Sequence, residues 1–437
     1  MENNIFESKS IPKAYFTLAV PVVLSMVITI IYNITDTYYI AMTNNTNLVA
    51  GVSLCAPVFT LLMGFGNIFG QGGSSLISRL LGQDDKENLR RVSSFCFYVA
   101  IAFGLVSGII MLIFRVQILH LLGADDETLT YAIQYFSWFA AGAPFVVLSF
   151  IHTNLLRSEG MSKESMIGSV SGSVINIILD PILIFTLNMG AAGAAIATII
   201  GYMLTDIYCF YVVIKKSKAL SIDIHSLKIS RDHVGQIFSI GTSAALSNIT
   251  QSICLILTNQ QLLVYGNDKI AAMGIVQKVS MVVMLIIVGF SFGGAPLIGY
   301  TYGANNKERM KELMGFVIKF LCGIAIIMSA VMIILAPFVI RIFLSDQSLI
   351  STGVLMLRTQ VMGMALMAVV LFFTIFFQAT GKAASAMILA LSRQGVVFVI
   401  VLFIAVAIGG YYGVIMTQFF ADLISAIIAV VLYRRVR

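Results

Sequence analysis

Charge is scarce: only 11% of the 437 residues are Asp, Glu, Lys or Arg, while 59% are hydrophobic. An average soluble domain carries about 25% charged residues, so a soluble globule is excluded. Cysteine is sparse as well. The five (Cys55, Cys96, Cys209, Cys254, Cys322) sit in apolar runs with no CxxC spacing and read as small core hydrophobes, neither disulfides nor a thiolate metal site. Met1 to Ser10 lacks the basic start, short apolar core and small-residue exit of a cleaved signal peptide, so no removal is expected. No GxxxxGK[ST] phosphate loop is present, and an ATP-driven pump would need a separate nucleotide-binding chain. No enzyme signature appears, and the chain is expected not to be an enzyme.

What is abundant is apolar length. The mean hydropathy of +0.96 runs along the whole chain, and a helix needs about 20 apolar residues to cross about 30 Å of hydrocarbon. Twelve such runs occur, roughly 12–40, 48–76, 93–114, 130–156, 166–187, 192–214, 237–264, 270–299, 314–340, 350–379, 383–407 and 411–433. They are continuous, without the period-two alternation of a barrel. The fold class is therefore an all-α polytopic membrane protein. Twenty Lys and Arg fall in the loops on the side of the N-terminus, against Arg115, Lys269 and Arg341 on the other. The positive-inside rule puts both termini in the cytoplasm. The net charge of +7 is thus topology, and nucleic-acid binding is excluded.

The longest internal hydrophilic stretch, Lys215 to Gln236, lies at the midpoint and reads as a cytoplasmic linker between two lobes of six helices, residues 1–214 and 237–437. The lobes resemble one another. Leu76-x5-Gly82-x3-Lys86-Glu87 matches Leu297-x5-Gly303-x3-Lys307-Glu308, Gly160 matches Gly381, and Gly190-x-x-Gly193 matches Gly410-x-x-Gly413. Six spans per copy keep both copies in one orientation, the parallel-repeat design of secondary transporters, with a substrate cavity expected between the halves.

Four acidic residues lie within spans: Asp36, Asp180, Asp206 and Asp422. A charge at the bilayer centre costs about 2.5–3.5 kcal/mol on insertion scales and usually faces protein or water for a functional reason. Asp36 and Asp180 share the outer half of the first lobe. Asn176 lies one helical turn from Asp180 on the same face, and Thr198 enters at a similar level. Two carboxylates, a carboxamide and a hydroxyl make an all-oxygen set suited to Na⁺ or to a proton exchanged between carboxylates. Pro181 frees a carbonyl one turn back. The alternative is that the two carboxylates only accept hydrogen bonds from neighbours such as Tyr32. Asp206 and Asp422 are either buried hydrogen-bond partners or contacts for a cationic substrate. Lys278, Arg358 and Arg393 are basic residues in later spans, Lys278 and Arg393 read as snorkelling or pairing with Asp422. The positions repeating Asp36 and Asp180 are Leu257 and Ile400, so the carboxylate site is not duplicated. Methionine clusters such as Met281 with Met284 provide deformable surface of the kind promiscuous sites use. His152 reads as structural, and the glycines of Gly64–Gly73 as allowing close helix packing or bending.

Several of these stretches together resemble the multidrug and toxic compound extrusion (MATE) family over essentially the full chain. They are Tyr32-Asn-Ile-Thr-Asp36-Thr, Ser78-Arg79-Leu-Leu-Gly82, Asn154-Leu-Leu-Arg-Ser-Glu-Gly160, Asn176-x3-Asp180-Pro181 and Gly190-x2-Gly193-Ala194-Ala195. Leu179-Asp-Pro-Ile-Leu-Ile-Phe185 is similar to the MepA-like branch of bacterial drug exporters. The resemblance implies twelve transmembrane helices in two pseudo-symmetric lobes forming a V-shaped bundle in the bacterial cytoplasmic membrane. It implies export of amphipathic, often cationic drugs by antiport with H⁺ or Na⁺, with no cofactor besides that ion. Asp36, Asn176, Asp180 and Thr198 fall on the family's cation site, and Ala194 on a backbone-carbonyl ligand of it. Tyr32, Asn248, Gln251, Met281 and Met284 are candidates for the substrate cavity. Other branches place acidic residues in the seventh and tenth spans, where this chain has Asn248, Thr250, Gln251 and Arg358. A functional monomer in the lipid bilayer is expected. The rival reading is a lipid-linked oligosaccharide flippase of the same wider superfamily, which would need cavity arginines in the first lobe.

Overall fold

The structure, a computed structural model, describes residues 5–343 and 346–436. Among the described residues all regular structure is helical: α1 (Ile11–Ala41), α2 (Thr46–Ser53), α3 (Ala56–Gly82), α4 (Lys86–Ile113), α5 (Arg115–Leu121), α6 (Asp126–Ala141), α7 (Ala143–Ser158), α8 (Ser162–Pro181), a π turn (Ile182–Thr186), α9 (Gly190–Lys215), α10 (Arg231–Leu263), α11 (Asn267–Gly303), α12 (Lys307–Phe343), α13 (Gln347–Met362), α14 (Met364–Ala379), α15 (Ala383–Arg393) and α16 (Val396–Val436). Among the described residues ten stretches are long and apolar enough to cross a membrane, and the pair α6–α7, bent by 52° and counted as one span, makes an eleventh. The last stretch runs 53 residues from Ala383 to Arg435, about 80 Å of helix at 1.5 Å per residue. It turns back at Gly410, whose φ of 54° and ψ of −125° are non-helical. A Cβ on Gly413 would lie 1.9 Å from the Ala405 carbonyl oxygen, so the two arms pack hard against each other. Counting those arms separately gives twelve crossings. Large apolar side chains such as Ile113, Val264, Ile334, Phe338 and Ile408 are exposed, as lipid-facing surface requires.

Several spans are less continuous than the runs of the sequence. The fourth breaks at Gly142 before Pro144, the tenth at Gly363, the eleventh at Gln394–Gly395, and the second after Ser53, ahead of Pro57. Proline removes an intrahelical donor and glycine tolerates the break. The short α5 lies between the third and fourth spans, where the sequence reading has only a loop. Most glycines of the Gly64–Gly73 run pack tightly: Cβ atoms at Gly66 and Gly73 would sit 2.9 Å from Phe150 Cβ and 2.7 Å from Cys96 Sγ, whereas Gly64 meets nothing.

The repeat is present in the backbone. Asn44 and Gly266, Asp84 and Asn305, Gly160 and Gly381, and Gly190 and Gly410 all adopt positive φ at matching places. Asp85 accepts from the Asn88 backbone N–H at 3.1 Å, as Asn306 accepts from that of Arg309 at 2.9 Å. Both are N-caps of the helix that follows. The Asn88 side chain and backbone hold the Asp85 carboxyl below its ordinary range. At the other turn, Met161 N–H donates to the Leu156 carbonyl and Lys382 N–H to that of Phe377.

By contact the chain forms two compact units, one from Leu24 to Gly241 and the other of the residues up to Val23 with those from Thr242 on. The division at 214 and 237 follows the repeat, whereas contacts exchange one segment in each direction. In the Leu24–Gly241 unit the start of α10 packs on α3: a Cβ on Gly72 would lie 2.2 Å from the Ile237 carbonyl oxygen, and one on Gly241 2.0 Å from that of Ile68. In the other unit the start of α1 packs on α11, where a Cβ on Gly293 would lie 2.3 Å from Ala19 Cα and the Tyr15 hydroxyl donates to the Phe290 carbonyl at 2.8 Å. That unit is centred on α14, buried along most of its length against α11, α12 and α16.

The linker is fastened to the Leu24–Gly241 unit. The Glu159 carboxylate accepts from Ser217 Oγ at 2.5 Å and from the backbone N–H groups of Lys218 and Ala219 at 2.9 and 3.0 Å. The hydroxyls of Ser93 and Tyr98 donate to the Ser221 and Ile222 carbonyls. Hydrogen bonds to a charged group contribute about 1.5–3 kcal/mol each when well buried, and Glu159 is only half-buried. Glu159→Ala is therefore expected to speed tryptic cleavage at Lys215–Lys218 several-fold without unfolding the helices. Unchanged cleavage would show that the serine contacts alone hold the linker.

Candidate functional site

The site is built on the crossing of α8 and α9. A Cβ on Gly172 would lie 2.4 Å from the Gly201 carbonyl oxygen, and one on Gly201 2.7 Å from that of Gly172. Only glycine permits so close an approach of backbones. Thr205 secures it, its hydroxyl placed 3.1 Å from both the Gly168 and Gly201 carbonyls. One turn further out, the short interhelical distance brings Asn176 against Thr198, and Asn176 Nδ2 donates to Thr198 Oγ1 at 3.3 Å.

Asp180, four residues beyond Asn176 on the same face, is fully buried. The next residue, Pro181, cannot bond the carbonyl of Ile177. The chain then widens into the π turn, in which Leu187 N–H donates to the Ile182 carbonyl at 2.9 Å. Such local widening is common at functional sites. Gly193 packs under this turn, where a Cβ would lie 2.8 Å from the Leu183 carbonyl.

From α1, Asp36 reaches Asp180 closely enough for the two carboxyls to share a hydrogen bond when one is protonated. Tyr32, one turn earlier, engages the Thr198 hydroxyl. The structure thus brings together Asp36, Asn176, Asp180, Thr198 and Tyr32. Ala194, one turn before Thr198, is fully buried with Ile40, Leu48 and Ile184, and its carbonyl keeps a second lone pair beyond its helical bond. Asp36 Oδ1, Asn176 Oδ1 and both Asp180 oxygens are shielded from solvent with no hydrogen-bond donor.

Tyr135 of α6 and Tyr202 of α9 stand within electrostatic reach of Asp36. The sequence reading omits Tyr135 because an aromatic in an apolar span carries no signal of its own. Of the remaining cavity candidates, Asn248 and Gln251 on α10 and Met281 and Met284 on α11 lie in the other unit. Gln251 and Met281 are exposed, the other two partly buried. In that unit Asp422 accepts from Arg393 Nε and Gln418 Nε2, both at 2.9 Å, which is the pairing expected of Arg393. Arg358 Nε donates to the Ile333 carbonyl at 3.2 Å, and Lys278 is exposed. Among the described residues no group of three or more His, Cys, Asp or Glu is placed to hold a metal ion.

Residues 21–182 and 243–404 each match the MatE family, so the family itself is matched twice, in register with the internal repeat. The multidrug export protein MepA of Staphylococcus haemolyticus (strain JCSC1435) is 34% identical over 97% of this chain and 93% of its own. That of Staphylococcus aureus (strain MRSA252) is 34% identical over 98% and 94%. A MATE crystallised in a straight conformation superposes with a TM-score of 0.92 at 26% identity, covering 99% of this chain and 97% of the other. An outward-facing multidrug resistance MATE transporter of the MOP superfamily gives 0.91 at the same identity and coverage. With its two matched repeats and its near full-length relatives, this multi-pass membrane protein belongs to the MatE family.

Proposed function

We propose that the chain exports amphipathic, often cationic compounds from the cytoplasm in exchange for inward H⁺ or Na⁺, and that Asp36, Asn176, Asp180, Thr198 and the Ala194 carbonyl bind the coupling ion. The observation that carries this reading is the set of donor-less oxygens on Asp36, Asn176 and Asp180. An uncompensated carboxylate in a dry interior costs several kcal/mol, so a proton or a metal cation is the natural complement. That relatives are named multidrug export proteins supports drugs as the exported compounds. The charge asymmetry of the loops supports cytoplasmic termini and insertion in a bacterial cytoplasmic membrane, and a functional monomer is the simplest assembly.

Binding an external cation neutralises the Asp36–Asp180 pair and stabilises the state with low drug affinity. Its loss to the cytoplasm restores the other. Coupling requires the ion and the drug to differ in affinity between the two states. The flippase alternative needs arginines inside the first lobe. Arg157 lies in the last turn of α7, its Nε donating to Ser165 Oγ at 3.2 Å, and the middle of the first-lobe spans holds no Lys or Arg.

Ethidium efflux from vesicles, with pH and Na⁺ gradients imposed separately, tests the exchange. One gradient is expected to drive dye movement, and movement under neither, with folded protein, would reject antiport. Thr198→Ala separates the ions. It removes one neutral oxygen ligand of a Na⁺ ion but no proton-binding group, so Na⁺-driven efflux falls several-fold while H⁺-driven efflux is little changed.

A further inference from the structure

A second acid–base pair is buried in the Leu24–Gly241 unit, apart from the carboxylate cluster. His152 on α7 is 2% exposed and Asp206 on α9 is 5% exposed. His152 Nδ1 stands 3.4 Å from Asp206 Oδ1, and the Phe97 ring lies over the imidazole with centroids 5.3 Å apart. Apart from this contact, neither ring nitrogen and neither carboxylate oxygen has a hydrogen-bond partner. A structural histidine in a core ordinarily has its ring nitrogens satisfied. This one faces only a carboxylate.

The protonation states differ sharply in cost. Neutral imidazole beside a carboxylate leaves one net negative charge in an apolar wall, with no donor to solvate it. One added proton removes that charge, either as imidazolium beside carboxylate or as imidazole beside carboxylic acid. The neighbouring ionisable groups do not substitute for it. Tyr202, one turn before Asp206, and Cys209 are the groups within electrostatic reach of the carboxylate. The guanidinium of Arg157 interacts with Cys209 and donates to Ser165.

We propose that His152 and Asp206 bind one exchangeable proton between them, as a second proton site about 12 Å along α9 from Thr198. Uptake forms an N–H bond at His152 Nδ1 or an O–H bond at Asp206, with the proton coming from water and no other bond changing. Tyr202 is within electrostatic reach of Asp36 as well as Asp206, and so stands between the two sites. The use of this proton in transport rests on the exchange proposed above, but its existence does not.

Nuclear magnetic resonance of the protein in lipid nanodiscs, with ¹⁵N-labelled imidazoles, tests the site between pH 5 and 9. The chain has only four histidines, and His152→Gln assigns the signal. An infrared spectrum of the same sample reads any protonated carboxyl. The expected result is either a His152 imidazolium signal that Asp206→Asn weakens at the same pH, or a protonated-carboxyl band that this variant removes. Asp206→Glu should restore whichever signal is seen. A His152 signal, neutral or charged, that Asp206→Asn leaves unchanged in a folded variant, together with no lost carboxyl band, overturns the proposal. Asp180→Asn protein should give the same His152 and Asp206 signals whether or not it exports drug, so failure of the antiport reading and failure of this site are separable.

Discussion

Cells producing Asp180→Asn are expected to export no more dye than cells lacking the protein, at an unchanged amount of membrane-inserted protein. The substitution keeps the size and planarity of a side chain that is fully buried, so packing survives. What disappears is a carboxyl group that can carry either a charge or a proton. The asparagine amide can instead donate to Asp36, which leaves one carboxyl where there were two and holds it in its charged, accepting form. A site that reads the same with and without the coupling ion cannot shift an equilibrium between two conformations. Asp36→Asn acts on the same pair from α1 and should be nearly as damaging, with some export retained because Asp180 is the more deeply buried partner. Dye efflux at equal protein level is the measurement, and wild-type export by Asp180→Asn would remove the central role assigned to this cluster.

Gly172→Val is expected to match that loss of transport by a mechanical route. A single Cβ there would already lie 2.2 Å from Thr205 Oγ1 and 2.4 Å from the Gly201 carbonyl oxygen, and valine adds two methyl groups beyond it. The α8–α9 crossing must open, at a cost of about 1–3 kcal/mol for overpacking. Opening it breaks the 3.3 Å contact between Asn176 and Thr198 and moves Asp180 with α8. Thermal unfolding of the detergent-solubilised protein should occur several degrees lower and efflux should fall by at least tenfold. Gly64→Ala is the control, since a Cβ at Gly64 meets nothing and its effect should stay within about 0.5 kcal/mol. Equal behaviour of Gly172→Val and Gly64→Ala would show that the close crossing does not position the site.

Much of this was legible in the sequence because membrane insertion makes strong demands on composition. A crossing segment must be apolar over about 20 residues, so the spans can be counted, and a carboxylate inside one stands out at once. Asp36, Asn176, Asp180 and Thr198 could be grouped by depth because helical rise is regular. The breaks inside spans were not legible. Pro144 follows one but Gly363 and Gly395 have no proline beside them, and a membrane glycine equally serves close packing, as Gly66 and Gly73 do. Partners across helices were equally hidden. His152 and Asp206 are 54 positions apart, in different spans, and nothing local to either names the other. The exchange of first segments between the two contact units left no trace in hydropathy, because the start of α1 is as apolar as its end.

That exchange has a consequence for synthesis. The segment ending at Val23 is made early relative to its packing partner Gly293, which emerges from the ribosome about 270 residues later. Contacts between residues so distant in sequence form late, and chains generally fold in the order they are made. The opening segment must therefore wait in the membrane, with the face destined for α11 turned to lipid or to a provisional neighbour, while the Leu24–Gly241 unit closes as soon as Ile237 and Gly241 arrive. Splitting the gene at the linker would produce one fragment holding Ala19 without Gly293 and another holding Gly241 without Ile68. Two such pieces can reach the native packing only together, by finding each other in the bilayer.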